Sequence, residues 1–223
     1  FPTRELFEVK IKEFDMVVFD RYVVRDVLPP SYLRNIISYV REGGALLLSV
    51  GPEFANERSL FNTPLGEVLP IAPTGNVIET GFRPKVTEVG DRHPVTAALP
   101  KAWAPDANRG TAQWGRWFRQ IETASRAGHT LMQGPDNRPL LVLDRAGKGR
   151  VATMLSDHIW LWARGFEGGG PHAELMRRLA HWLMKEPDLE EEHLRAQVRE
   201  GQLHIARRSL GDAPATITVT TPI

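Results

Sequence analysis

The stretch from Asp15 to Gly51 constrains the fold of this chain more than any other. Asp15-Met-Val-Val-Phe-Asp20 is a short run of β-branched and aromatic residues bounded by acids, the pattern of a strand buried on both faces of a parallel sheet. Pro29 and Pro30 open the next segment, where a missing N–H costs little. Leu33, Ile36, Ile37 and Val40 then recur at helical spacing and give one apolar face. Gly43 and Gly44 stop the helix, and Ala45 to Val50 forms the next strand. That is one parallel βαβ unit, and it ends in Ser49, Val50 and Gly51, where many α/β enzymes present a nucleophile.

The chemistry available at that turn is limited by composition. The 223 residues contain no cysteine, which excludes disulfides, thiolate metal sites and a thiol nucleophile. Lys and Arg number 28 against 27 acids, a net charge of +1, so a broad nucleic-acid footprint is not expected. No apolar run approaches the roughly 18 residues that span a bilayer. The first residues, Phe-Pro-Thr-Arg-Glu-Leu-Phe, lack a signal-peptide layout, and both ends read as cut from a longer polypeptide.

Further along, residues 52 to 75 read as loop punctuated by prolines, with a turn of helix near Arg58 to Phe61. Val77 to Thr80 and Lys85 to Val89 read as short strands. Residues 100 to 117 carry Trp103, Trp114 and Trp117 in an irregular excursion. Thr130 to Gln133 is a strand, and Pro139 to Asp144 and Arg150 to Ser156 form a hairpin. Gly165 to Gly170 reads as a hinge before a helix from Pro171 to about Lys185. The expected organisation is an α/β domain over residues 1–187, a charged connecting helix over 188–201, and a truncated β module over 202–223.

Several motifs resemble a known family when taken in order. They are Phe14 to Tyr22, Tyr39-Val40 through Gly43-Gly44-Ala45-Leu46-Leu47, and Arg92-His93-Pro94-Val95-Thr96. Gly147 to Val151 with Ser156-Asp157-His158, Trp160-Leu161-Trp162, and Arg178 to Leu183 complete the set. Across residues 10 to 190 this resembles the class I glutamine amidotransferase-like superfamily, in a divergent branch found within large bacterial membrane-anchored proteins. The resemblance implies a flavodoxin-like parallel sheet flanked by helices. It also implies a soluble domain of a membrane protein, attached through segments outside this chain, on a membrane side left open. Catalytic members use a Cys at the elbow that holds Ser49 here, so glutaminase chemistry is not carried over.

The candidate site residues gather at strand ends. Ser49 with His158 and Asp157 is a conceivable hydrolase set, but position 47 is Leu where a nucleophile elbow wants Gly. The plain alternative is a small residue closing a strand, an acid capping a loop and a surface His. Asp20, Arg21 and Asp26 follow the first strand and could line the same crevice with Glu53, or form surface pairs. Trp160, Trp162 and Arg164 form a binding constellation if the segment is extended, since residues two apart then share a side. Arg164 would clamp an anion near the free N–H groups of the Pro171 helix. The alternative is plain packing. The histidines lack metal-ligand spacing, and Glu190, Glu191 and Glu192 suit a helix start. No cofactor is expected. The leading reading is a non-catalytic module binding a small ligand, a protein partner or other domains of its own polypeptide. A hydrolase or amidotransferase-related enzyme using Ser49 with His158, and a purely structural domain, are the alternatives.

Overall fold

The structure is a computed structural model that describes residues 3–25, 27–99, 114–211 and 214–220. Asp26 and Trp103, both singled out above, lie outside the described residues. The βαβ unit forms as expected: β1 (Met16–Asp20), α1 (Pro30–Glu42) and β2 (Ala45–Ser49). Pro29 caps α1, and Gly43 at φ 130° ends it. Gly44 has no room for a side chain, because a Cβ there would lie 2.2 Å from the Tyr39 ring. The Tyr39 hydroxyl in turn donates to the Phe14 carbonyl at 2.9 Å and accepts from Ala45 N at 3.3 Å, joining helix end to both strands.

The remaining elements are β3 (Ile71–Ile78), β4 (Lys85–Val86), α2 (Glu88–Arg92), β5 (Gln120–Ser125), β6 (His129–Gln133), β7 (Pro139–Ala146) and β8 (Gly149–Met154). They are followed by α3 (Trp160–Ala163), α4 (His172–Leu183), β9 (His193–Arg199) and β10 (Gln202–Arg208). The main sheet has six strands in the order β1-β2-β8-β7-β6-β4. β1, β2 and β8 run parallel, while β7, β6 and β4 pair antiparallel with their neighbours. The sheet is therefore mixed rather than parallel throughout. The β7–β8 hairpin is the cause, since a tight turn can only reverse the chain. β3 and β5 form a separate antiparallel pair.

Alternation sorts the strand side chains onto two faces. Leu46, Leu48, Val142 and Val151 pack with Leu33, Ile36 and Val40 of α1. Leu47, Leu141, Ala152 and Met154 pack with Leu175, Leu179 and Trp182 of α4. One sequence expectation fails outright: the segment read as a charged helix is β9, paired with β10. Glu200 (φ 50°) and Gly201 (φ 77°) make the two-residue turn that favours a hairpin. Lys85 to Val89 likewise splits into a two-residue strand and the start of α2. No helix among the described residues is long and apolar enough to cross a membrane.

Candidate functional site

Parallel pairing aligns the ends of β1, β2 and β8, so Asp20 sits opposite Ser49, and Ser49 opposite Met154. Residues just past those ends converge. Arg21 leaves β1 in the left-handed region at φ 45°, strained for a non-glycine residue. From there its guanidinium reaches Glu53 Oε1 at 2.6 Å and Asp157 Oδ2 at 3.3 Å. Arg119 lies 3.6 Å from Asp157 Oδ1 on the other side. Gly51 permits this closure: a Cβ there would meet Arg21 Nε and Glu53 Oε2 at 2.7 Å.

The result is a closed network of two arginines and two carboxylates. Asp157 is buried, and the void left beside Ser49 is about 10 Å³, at the lower limit for one water. Burial pushes the Glu53 carboxyl up, but its own backbone N–H and the Arg21 guanidinium outweigh that and hold it below the usual range. Among the described residues no loop N–H donates to Asp157, so the capping alternative is not seen. That task falls to Ser156, whose hydroxyl donates to the Arg119 carbonyl at 2.6 Å and accepts from His158 N at 3.1 Å.

His158 is committed elsewhere. Its Nδ1 accepts from Phe118 N at 3.0 Å, and its Nε2 lies 3.2 Å from the Arg119 guanidinium. Burial lowers its pKa, the nearby Arg119 and Arg21 lower it further, and Asp157 only partly compensates. Among the described residues no hydrogen bond joins Ser49 Oγ to His158. Asp20 is exposed and makes no salt bridge among them, so the Arg21 charge is met by Glu53 and Asp157 instead.

Trp160, Trp162 and Arg164 do not share a side, because the segment is the short helix α3 rather than extended chain. Trp160 is 53% exposed and Trp162 only 2%. Trp162 packs against Trp117 and Trp114, with ring centroids 4.8 and 5.1 Å away, and donates its Nε1–H to the Gly115 carbonyl at 2.8 Å. Arg164 is exposed, without an ion pair among the described residues. The glycine run after it is anchored rather than hinged. Gly115 N donates to the Gly169 carbonyl at 2.7 Å, and Arg116 Nε grips both Glu167 oxygens at 2.9 Å. The first turn of α4 holds its own anion in Glu174, whose carboxyl Arg177 and Arg178 lower to about 2.

A second charged cluster, at the opposite end of β8, escaped sequence reading. Arg150 is buried, donates to the Trp182 carbonyl and to Glu190, and lies 4.9 Å from the Trp182 ring centre. Glu191 is buried beside it and accepts from Trp182 Nε1 at 2.8 Å and from Arg145, with His93 Nε2 at 3.4 Å. Burial pushes Glu191 up, but His93, its backbone, Arg145 and Trp182 together hold it far below the carboxylate range. Glu192 Oε1 accepts from Ser209 Oγ at 2.7 Å and Leu210 N at 3.2 Å. The acidic run thus latches the β9–β10 hairpin onto the α/β body, instead of starting a helix. A cleft of about 530 Å³ lies alongside, bordered by His93, His129, Arg145 and Glu191. Among the described residues no group of His and acids is placed to hold a metal ion. Positions 93, 145, 150, 182 and 191 are too scattered for any spacing rule to connect them.

No protein-family model matches the chain. No curated protein matches it in sequence. Solved structures do share the fold. The cytoplasmic protein STM1381 of Salmonella typhimurium LT2 is 22% identical, over 77% of this chain and 73% of that one, with a TM-score of 0.60. The cytoplasmic protein STM3548 of Salmonella typhimurium is 20% identical, over 81% and 74%, at 0.61. The mmIFT52 N-terminal domain is 15% identical, over 80% of each chain, at 0.52. Identities this low speak to the fold alone. They correct the resemblance drawn from motifs: none of these structures bears the name of a glutamine amidotransferase, and the sheet is mixed. The strand-glycine-strand motifs belong to α/β folding in general, and the membrane-anchored bacterial branch they suggested falls with them.

Proposed function

We propose that this chain is a non-catalytic α/β interaction domain, which engages a protein partner or neighbouring domains through its outer surface. One observation carries this reading: the crevice where α/β proteins place ligands is filled by Arg21, Glu53, Asp157 and Arg119. Ion pairing there takes up the groups a reaction would need, and the space beside Ser49 admits no small molecule. His158 supports the same reading, since a backbone amide takes one ring nitrogen and a guanidinium faces the other.

A panel of ester, amide and phosphoester substrates tests the proposal, with wild type compared against Ser49→Ala and His158→Gln. The expected result is equal background turnover for all three. Turnover that disappears in both variants, with folding intact by circular dichroism, would overturn it.

A further inference from the structure

The β9–β10 hairpin has two unlike faces. Its register puts Leu194, Ala196 and Val198 on one face with Leu203 and Ile205, and Arg195, Gln197 and Arg199 on the other with Gln202 and His204. The apolar face is bare: Leu194 is 59% exposed, Val198 72% and Leu203 49%. A two-stranded hairpin on its own is marginal in water, and a third strand is what steadies it. Among the described residues no backbone hydrogen bond reaches the outer side of β10. The chain carries a matching strand a few residues on. Thr216, Ile217, Thr218, Val219 and Thr220 are consecutive β-branched residues, the composition of a strand rather than a loop. Yet residues 214–220 lie open and form no strand, with Ile217 41% and Val219 54% exposed.

We infer that residues 215–220 form a strap that closes antiparallel on the outer edge of β10, alongside residues 202–207. β10 is the strand that precedes the strap in the chain, and sequential strands tend to pair. In this register Ile217 faces Ile205 and Val219 faces Leu203, while Thr216 and Thr218 face Ala206 and His204. Residues 209–213 remain as the connection, within the usual length of a hairpin loop. That connection already begins with a turn, in which Ser209 Oγ accepts from Gly211 N at 3.2 Å. Pro214, which has no N–H to give, falls just ahead of the first paired residue. The alternation selects this register against its neighbours. A slip of one residue would move Ile217 and Val219 to the arginine face, opposite Ala206 and His204 or beside them. A slip of two would set Ile217 against Arg207, or carry Val219 past the end of β10 at Gln202. Closed, the strap guards an edge whose unpaired N–H and C=O groups would otherwise recruit a strand from another chain. The inference stands apart from the interaction-domain reading, because the strap lies on the hairpin and leaves the closed carboxyl edge untouched.

In a cysteine-free chain two introduced thiols report the register. Directly opposed antiparallel residues lie about 4.5–5.5 Å apart between Cα atoms, within disulfide reach. Ile205→Cys with Ile217→Cys should therefore close an intrachain disulfide under mild oxidation at least tenfold faster than Ala206→Cys with Ile217→Cys, whose side chains would point to opposite faces. Equal rates would overturn the inference, and so would disulfides formed only between chains. Hydrogen exchange of the wild type reads the same contact without a substitution. Alternate backbone amides in residues 215–220 should exchange at least tenfold more slowly than in an unstructured peptide of that sequence, whereas equal exchange would overturn the inference. If either cysteine pair fails to fold, hydrogen exchange alone decides.

Discussion

Replacing Arg150 by Met tests the ionic latch most sharply. Met keeps the length and apolar stem but removes both donors and the charge over Trp182. The side chain is 2% exposed, so water cannot take over the lost contacts. The Trp182 carbonyl loses the guanidinium donor but keeps Lys185 N at 2.9 Å, so the cost is that of one charge-assisted hydrogen bond, about 1.5 kcal/mol. Loss of the cation–π contact adds about 1 kcal/mol. Two factors pull the other way. Glu190 is 30% exposed and keeps Arg145 at 2.9 Å, so its charge is not stranded. Removing a buried cation also relieves a desolvation cost, and Arg150 Nε has no partner even now. The net expectation is a loss of about 2 kcal/mol in urea denaturation, or about 4–8 °C in melting temperature for a chain of this size. Proteolysis between α4 and β9 should rise in parallel, because the latch holds the hairpin. A variant within about 0.5 kcal/mol of wild type would show that Arg150 is replaceable packing and refute the reasoning.

Two further outcomes follow from the same geometry. Burial lowers the His93 pKa although Glu191 pulls it upward, and His158 is lowered too. Below about pH 6.5 the unfolded chain therefore takes up protons that the folded chain refuses, and stability falls as pH drops. The depressed Glu53 and Glu191 carboxyls extend the decline below about pH 4.5. Urea titrations from pH 8 to 5 should show this slope, partly flattened in His93→Gln, whereas a flat profile would count against buried neutral histidines. Trp162→Ala should cost about 3–5 kcal/mol by emptying the Trp114–Trp117 cluster, while Trp160→Ala should cost under about 0.5 kcal/mol. Near-equal losses in thermal denaturation would contradict their opposite exposure.

What the sequence revealed and what it hid divide along physical lines. Local signals served well: the Pro29-Pro30 start and Gly43-Gly44 stop of α1, the β7–β8 hairpin, and the helix after Pro171 all form. Strand order also brought Arg21, Glu53, Asp157 and His158 into one neighbourhood, because adjacent parallel strands end together. What those residues do there depends on Arg119, which enters from the start of β5 and carries no local signature. Leu189 to Glu200 misled because its residues have good helix propensity. The decisive cue was the Glu200-Gly201 turn, which lets Val198 face Leu203. The Trp160 segment misled for the opposite reason, since spacing by two speaks to binding only if the chain is extended.

A double-mutant cycle on Arg21→Ala and Asp157→Ala, read by urea denaturation, addresses the closed carboxyl edge directly. If the residues hold the fold together, their losses are coupled by about 1 kcal/mol, a value set by a buried carboxylate facing a half-exposed guanidinium. Strictly additive losses would mean that the two side chains do not close the edge, contradicting the account.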